Sequence, residues 1–230
     1  MSAPSPIPPR RLDDIPTEAV ALRTREFFVE RYGSAMRSYV RSMLPTGDAA
    51  DEITQEVLLR FLDRGLGQFD PNRGRFRDYL KAALRNAVAS YRRQQTRAAE
   101  PLDPETVPAD EPADDGWEDT WRACLLDRTW AKLAEYERAT PGNAYHTVLR
   151  LQADHPSENS TELAARASAL LGRPVQAAAF RKHASRGRRL FAKLLCDEVV
   201  VTVEPMTWER VMEELAELKL LAFVRGYLPG

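Results

Sequence analysis

At 230 residues, with 33 basic and 34 acidic side chains and a net charge of −1, the chain is long enough for two modest domains and is not a uniformly basic nucleic-acid binder. Its only cysteines, Cys124 and Cys196, are too few and too far apart to frame a disulfide scaffold or a zinc site, so reduced thiols are the default. The Pro- and Ser-rich start, Met1 to Arg11, lacks the apolar core of a secretory signal, and no apolar run reaches membrane-spanning length, which predicts a soluble, cytoplasmic protein.

Residues 1–14 read as a disordered lead, because so little apolar content cannot offset the cost of ordering the backbone. A helix starts near Thr17-Glu18, pauses at Gly33-Ser34, and resumes through Met36, Tyr39, Val40 and Met43 to stop at Pro45. From Asp48 to Leu62 the apolar residues Ile53, Val57, Leu58, Phe61 and Leu62 recur at helical spacing. Asp51, Glu52, Gln55 and Glu56 then face away from them. After a Gly- and Pro-containing hinge, Gly65 to Gly74, a second amphipathic helix sets Phe76, Tyr79, Leu80, Ala83, Ala87, Val88 and Tyr91 inward. Arg77, Lys81, Arg85 and Arg92 line another of its faces.

Charge is segregated along the chain. The stretch 73–97 carries eight cations against the single acid Asp78, 100–119 has acids and no Lys or Arg, and 166–193 is basic with no acid. Two basic blocks around an acidic one suggest two contacts on a polyanion, separated by a segment that avoids it.

Asp51-Glu-Ile-Thr-Gln-Glu-Val57, Leu59-Arg60, Phe69-Asp-Pro-Asn-Arg-Gly-Arg-Phe-Arg77, Leu80, Ala87 and Tyr91-Arg-Arg93 together resemble region 2 of sigma-70 family RNA polymerase sigma factors, in particular the extracytoplasmic-function (ECF) group. The resemblance implies that Asp51, Glu52, Gln55, Glu56 and Leu59 dock on the clamp helices of the largest polymerase subunit. It further implies that Arg73, Arg75, Phe76, Arg77, Asn86, Arg92 and Arg93 hold the melted −10 promoter strand, Phe76 as a surface for a flipped base. Thr54 stands where an aliphatic residue is usual. It reads either as a site through which a regulatory kinase would tune polymerase affinity, or as a methyl packed at the edge of the core. An anti-sigma factor is a further partner the resemblance allows.

The stretch 98–116, with four prolines among its acids, reads as an extended linker, either a plain solvated spacer or, as the resemblance implies, a chain threading toward the RNA exit path. Trp117 to Arg138 is helical and is assigned to the core of a second domain through Trp121, Leu125, Leu126, Trp130, Leu133 and Tyr136. A short helix over 144–151, a loop over 155–159, a capped helix from about Thr161 to Leu171, the turn Gly172-Arg-Pro174 and a long helix from about Val175 to Cys196 make a helix-turn-helix. In the last helix Phe180, Ala184, Gly187, Phe191 and Leu195 face inward. This part resembles sigma region 4, which implies that Arg173, Gln176, Arg181, Lys182, Ser185 and Arg186 contact the −35 duplex. Asp197 to Thr202 and a helix over 207–221 resemble a C-terminal extension.

The expected fold is therefore all-α: a region 2 bundle (15–97), a linker (98–116), a helix-turn-helix domain (117–200) and an extension (201–230). The expected function is promoter recognition for core RNA polymerase, with no catalysis of its own and no cofactor. His146, His155 and His183 suggest no nucleophilic or metal chemistry, and carboxylates at helical spacing with no His or turn-forming Gly among them are a poor cation site. Two rivals belong to other classes: a homodimeric helix-turn-helix repressor with a helical dimerisation or ligand domain, and a metal-dependent hydrolase using Asp51, Glu52 and Glu56. Neither accounts for two basic blocks flanking an acidic segment.

Overall fold

The computed structural model describes residues 25–44, 46–64, 69–70, 74–98, 116–140, 142–203 and 207–227, without the side chains of residues 25–28, 62, 64, 97 and 98. Every regular element among them is helical: α1 (Arg25–Met43), α2 (Gly47–Arg64), α3 (Phe76–Ala98), α4 (Trp117–Ala139), α5 (Tyr145–Asp154), α6 (Ser160–Leu171), α7 (Ala177–Val200), α8 (Trp208–Glu217), α9 (Leu221–Val224) and a closing 3-10 turn, Arg225–Tyr227. The N-terminal lead, the helix start at Thr17, most of the hinge and nearly all of the acidic stretch lie outside the described residues. The chain divides into two compact units, residues 1–124 with 201–210, and residues 125–200 with 211–230.

In the first unit α1, α2 and α3 bury the periodic residues that drew them. Tyr32, Met36, Tyr39 and Val40 of α1, Ile53, Val57, Leu58 and Phe61 of α2, and Leu80, Leu84, Ala87 and Val88 of α3 form one core. Gly33 does not interrupt α1, whose i, i+3, i+4 stripe runs on across it. The unit is larger than its sequence boundary predicted. Trp117 and Trp121 are buried here, with Trp117 tilted against Tyr39 at 4.8 Å and Trp121 stacked on Tyr32 at 5.3 Å and 7°. Lys81 of α3 pairs with Glu118 at 3.4 Å, and the Cys124 thiol lies 3.7 Å from the Arg31 carbonyl oxygen. The first two turns of α4 thus belong with α1–α3, and both ends of the acidic stretch are fixed to the same unit. Their apolar periodicity is continuous with the rest of α4, which is why the sequence pattern assigned the whole helix to the other domain.

In the second unit α5, α6 and α7 close on Val148, Leu151, Leu163, Ala164, Ala167, Phe180 and Ala184. The helix-turn-helix is held by specific local chemistry. Asn159, not Ser160 or Thr161, caps α6: its side chain accepts from the amides of Thr161 and Glu162, and Glu162 accepts in return from the Asn159 amide at 2.8 Å. Gly172 ends α6 at φ 62°, a left-handed conformation glycine adopts without strain. Ser168 fastens the turn, accepting from the Val175 amide at 2.9 Å while donating to the Ala164 carbonyl at 2.8 Å. At Gly187 a Cβ would stand 3.3 Å from Leu149 and Tyr145, so the glycine is what lets α5 approach α7.

The expected end of α7 at Cys196 is exceeded, because Val199 continues the inward stripe of Phe191 and Leu195. This extension also buries Glu198 fully, one position away; Arg128 at 2.9 Å and Lys132 at 2.6 Å neutralise it. The C-terminal residues pack back, with Val211, Leu215, Leu218, Leu220 and Val224 all buried. No helix among the described residues is long and apolar enough to cross a membrane.

Candidate partner and nucleic-acid interfaces

The first surface is the outer face of α2. Positions 52, 55, 56 and 59 follow helical spacing on the side opposite Ile53 and Val57, and Glu52, Gln55, Glu56 and Leu59 are all exposed. Leu59 is 57 % exposed, an apolar side chain set among acids and amides on a helix whose other apolar residues with described side chains are inside. Glu56 pairs with Arg60 along the helix, an ion pair of small energetic consequence at this exposure. Glu52 has no ion pair among the described residues. Asp51 differs from its neighbours. Only half-exposed, it receives Arg41 through both carboxylate oxygens at 3.2 Å and Arg37 at 3.3 Å, so its charge is engaged by α1. The sequence reading passed over Arg37 and Arg41, although their i, i+4 spacing on the outer side of α1 was visible.

Thr54 is 1 % exposed, and its hydroxyl donates to the Ala50 carbonyl at 2.7 Å. A kinase cannot reach a side chain so placed without unfolding the helix, so Thr54 is a packing residue and not a regulatory site. The helix turns Thr54 into the core because it lies one residue from Ile53 and three from Val57.

The second surface is the exposed side of α3. Asn86, Arg92 and Arg93 are exposed, Lys81 and Arg85 partly so, and Arg92 also donates to the Met43 carbonyl at 2.7 Å, tying α3 to the end of α1. Arg75 is half-exposed just before the helix; Arg73 lies outside the described residues. Two expected strand contacts do not face outward. Phe76 is 7 % exposed and packs on Tyr32 at 5.3 Å and on Phe69 at 5.5 Å, so no ring face is open to a flipped base. Arg77 is 4 % exposed, because it stands three residues before Leu80 and seven before Leu84 and shares their inward side. Both residues support the surface from beneath.

The third surface is the outer face of α7 with the turn before it. Arg173, Gln176, Arg181, Lys182, Ser185 and Arg186 are all exposed, as are Arg188 and Arg189. Several are pre-positioned: Arg181 donates to the Ser160 hydroxyl at 3.0 Å, Arg173 to the Gly142 carbonyl at 3.3 Å, and Arg188 to Gln152 at 2.9 Å. His183 is half-buried against Tyr145, and burial together with the nearby cations Arg173, Arg186 and Lys182 lowers its pKa against the opposing pull of Glu137. It is neutral at pH 7 and adds no charge to this face. Among the described residues no cluster of His, Cys, Asp or Glu could hold a metal ion.

No curated protein and no solved structure matches the chain. Residues 28–98 match the family model described as Sigma-70 region 2. The matched span runs from within α1 to the end of α3 and contains the first two surfaces whole, the acidic one and the basic one. The likeness to sigma-70 family RNA polymerase sigma factors is thus supported over these three helices, less than half of the chain.

Proposed function

We propose that the protein is an ECF-type sigma factor, which binds core RNA polymerase and directs it to promoters while the polymerase does the chemistry. The observation that carries this reading is the outer face of α2. Glu52, Gln55, Glu56 and the exposed Leu59 form a compact acidic and apolar patch within the region 2 match, the patch that the sequence resemblance assigns to the clamp helices. Leu59 supplies apolar area that strengthens docking in the bound state, and the acids orient a basic partner at long range.

On the same reading Arg75, Asn86, Arg92 and Arg93 hold the melted −10 strand. Phosphate neutralisation gives affinity there, and the residues around α3 give selectivity. The exposed cations of α7, Arg181, Lys182 and Arg186, with Arg173, Gln176 and Ser185, fit a recognition helix at a −35 duplex, supported by the capped α6 and the Ser168-fastened turn. Asp51, whose charge Arg37 and Arg41 engage, borders the α2 patch.

The test is charge reversal at the one acid of the patch without an ion pair. Glu52→Lys should lower co-purification of the chain with core polymerase while its thermal melting stays within experimental error of the parent. Equal recovery of Glu52→Lys and parent protein with the polymerase would remove the assignment of this face.

A further inference from the structure

We propose that residues Trp117–Cys124, beyond the acidic stretch and outside the region 2 match, are a working part of the strand-holding unit, with Trp121 a positioning residue for α3. The inference rests on the sigma-factor reading above and extends it to a segment that the sequence pattern assigned elsewhere. Four sets of packing neighbours carry it. Trp121 stacks on Tyr32 at 5.3 Å and 7°, and Tyr32 in turn meets Phe76, the first residue of α3, at 5.3 Å. Phe76 continues the column to Phe69 at 5.5 Å, and Phe69 touches Tyr79 at 5.7 Å, which reaches Phe61 of α2 at 5.6 Å. Glu118 holds Lys81 one turn further along α3. Trp117 anchors the segment on Tyr39.

A ring column of this kind transmits position because its buried members have no alternative packing. Arg75 immediately precedes Phe76, and Asn86 and Arg92 project from the helix that Phe76 begins. A shift of Phe76 therefore moves the proposed strand-holding residues without touching any of them. Trp121 is a positioning residue, since it reaches no nucleotide itself. Its indole N–H meets no acceptor among the described residues, which makes phenylalanine the informative replacement. Phenylalanine keeps a ring on Tyr32 and removes a buried donor that has no partner.

The experiment uses the full chain assembled with core RNA polymerase and a fluorescent pool of single-stranded DNA of randomised sequence. Trp121→Ala, Trp121→Phe and the core control Met36→Ala are compared with the parent, alongside hydrogen exchange of the free chain. The expectation is that Trp121→Ala weakens strand capture by about two- to thirtyfold, the range spanned by coupled but non-contacting residues. It should also speed exchange in the first two turns of α3. Trp121→Phe should retain both properties, and Met36→Ala should capture strand as the parent does. Parent-like capture by Trp121→Ala, or equal impairment of Trp121→Phe and Trp121→Ala, overturns the inference. If the parent assembly captures no strand, the sigma-factor reading falls, and the exchange measurement alone then decides whether Trp121 holds α3.

Discussion

Placing an aspartate at Thr54 separates packing from regulation. A phosphorylation site on the docking helix would tolerate the change and show altered polymerase affinity; a buried threonine would not tolerate it. An ordinary aspartate titrates near 3.9, and full burial can raise a carboxyl by about 3–5 units. With each unit worth about 1.36 kcal/mol, keeping the group in the core at pH 7 costs roughly 4 kcal/mol, a large share of the stability of a small domain. Thr54→Val keeps the shape and gives up one hydroxyl bond to a helix carbonyl, so it should remain within about 1 kcal/mol of the parent. The pH dependence has a defined sign. The folded-state pKa of the introduced carboxyl lies above its unfolded value, so Thr54→Asp is least impaired at low pH. It loses stability as pH rises from the unfolded value toward the folded one, by up to about 1.4 kcal/mol per pH unit. Urea unfolding read by hydrogen exchange at the α2 amides isolates the first unit from the second, which need not unfold with it. A Thr54→Asp protein as stable as Thr54→Val at pH 7, with no pH-dependent difference between them, would refute the burial argument.

Arg181→Ala combined with Arg186→Ala should weaken binding to duplex DNA and flatten the dependence of log affinity on log salt by about 0.9 for each phosphate no longer neutralised, measured by titration at several salt concentrations. A weakening confined to one base position with an unchanged slope would mean base readout instead. Lys219 sits at φ 56° after α8, where the Leu220 amide reaches back to the Leu215 carbonyl at 2.8 Å, the position glycine favours. Lys219→Gly should therefore raise stability by about 0.5–1 kcal/mol in chemical denaturation. Burial, with Asp197 beside it, pushes the Cys196 thiol up to about 12, so at pH 8 it should resist alkylation in the folded chain and react once urea unfolds it, as read by mass spectrometry.

Helical periodicity carried most of the fold, because the inward stripes of α2, α3 and α7 are regular and long. Phe180, Ala184, Gly187, Phe191 and Leu195 were all legible and all lie inside. Periodicity failed where one helix changes partners along its length. Trp117 and Trp121 obey the same repeat as Leu125 and Leu133, and nothing in the repeat says that the two halves bury against different units. It failed again at the edges of stripes, where Arg77 reads as outward yet turns in and where Thr54, left open between a regulatory site and a core-edge methyl, is fully inside, and it failed at Glu198, whose burial is met by Arg128 and Lys132, far away in sequence. The outward positions of Glu52, Leu59, Arg181 and Arg186 were legible for the converse reason: an outward position needs no distant partner to define it.

Purified core RNA polymerase supplies the most direct measurement. Core enzyme alone, core with the chain, and core with Glu52→Lys are given fragments of the native genome, and the 5′ ends of the transcripts are mapped. The account predicts discrete start sites that require the parent chain and diminish with Glu52→Lys. A chain that leaves the polymerase's transcripts unchanged, and instead binds a palindromic site as a stable homodimer, would contradict it.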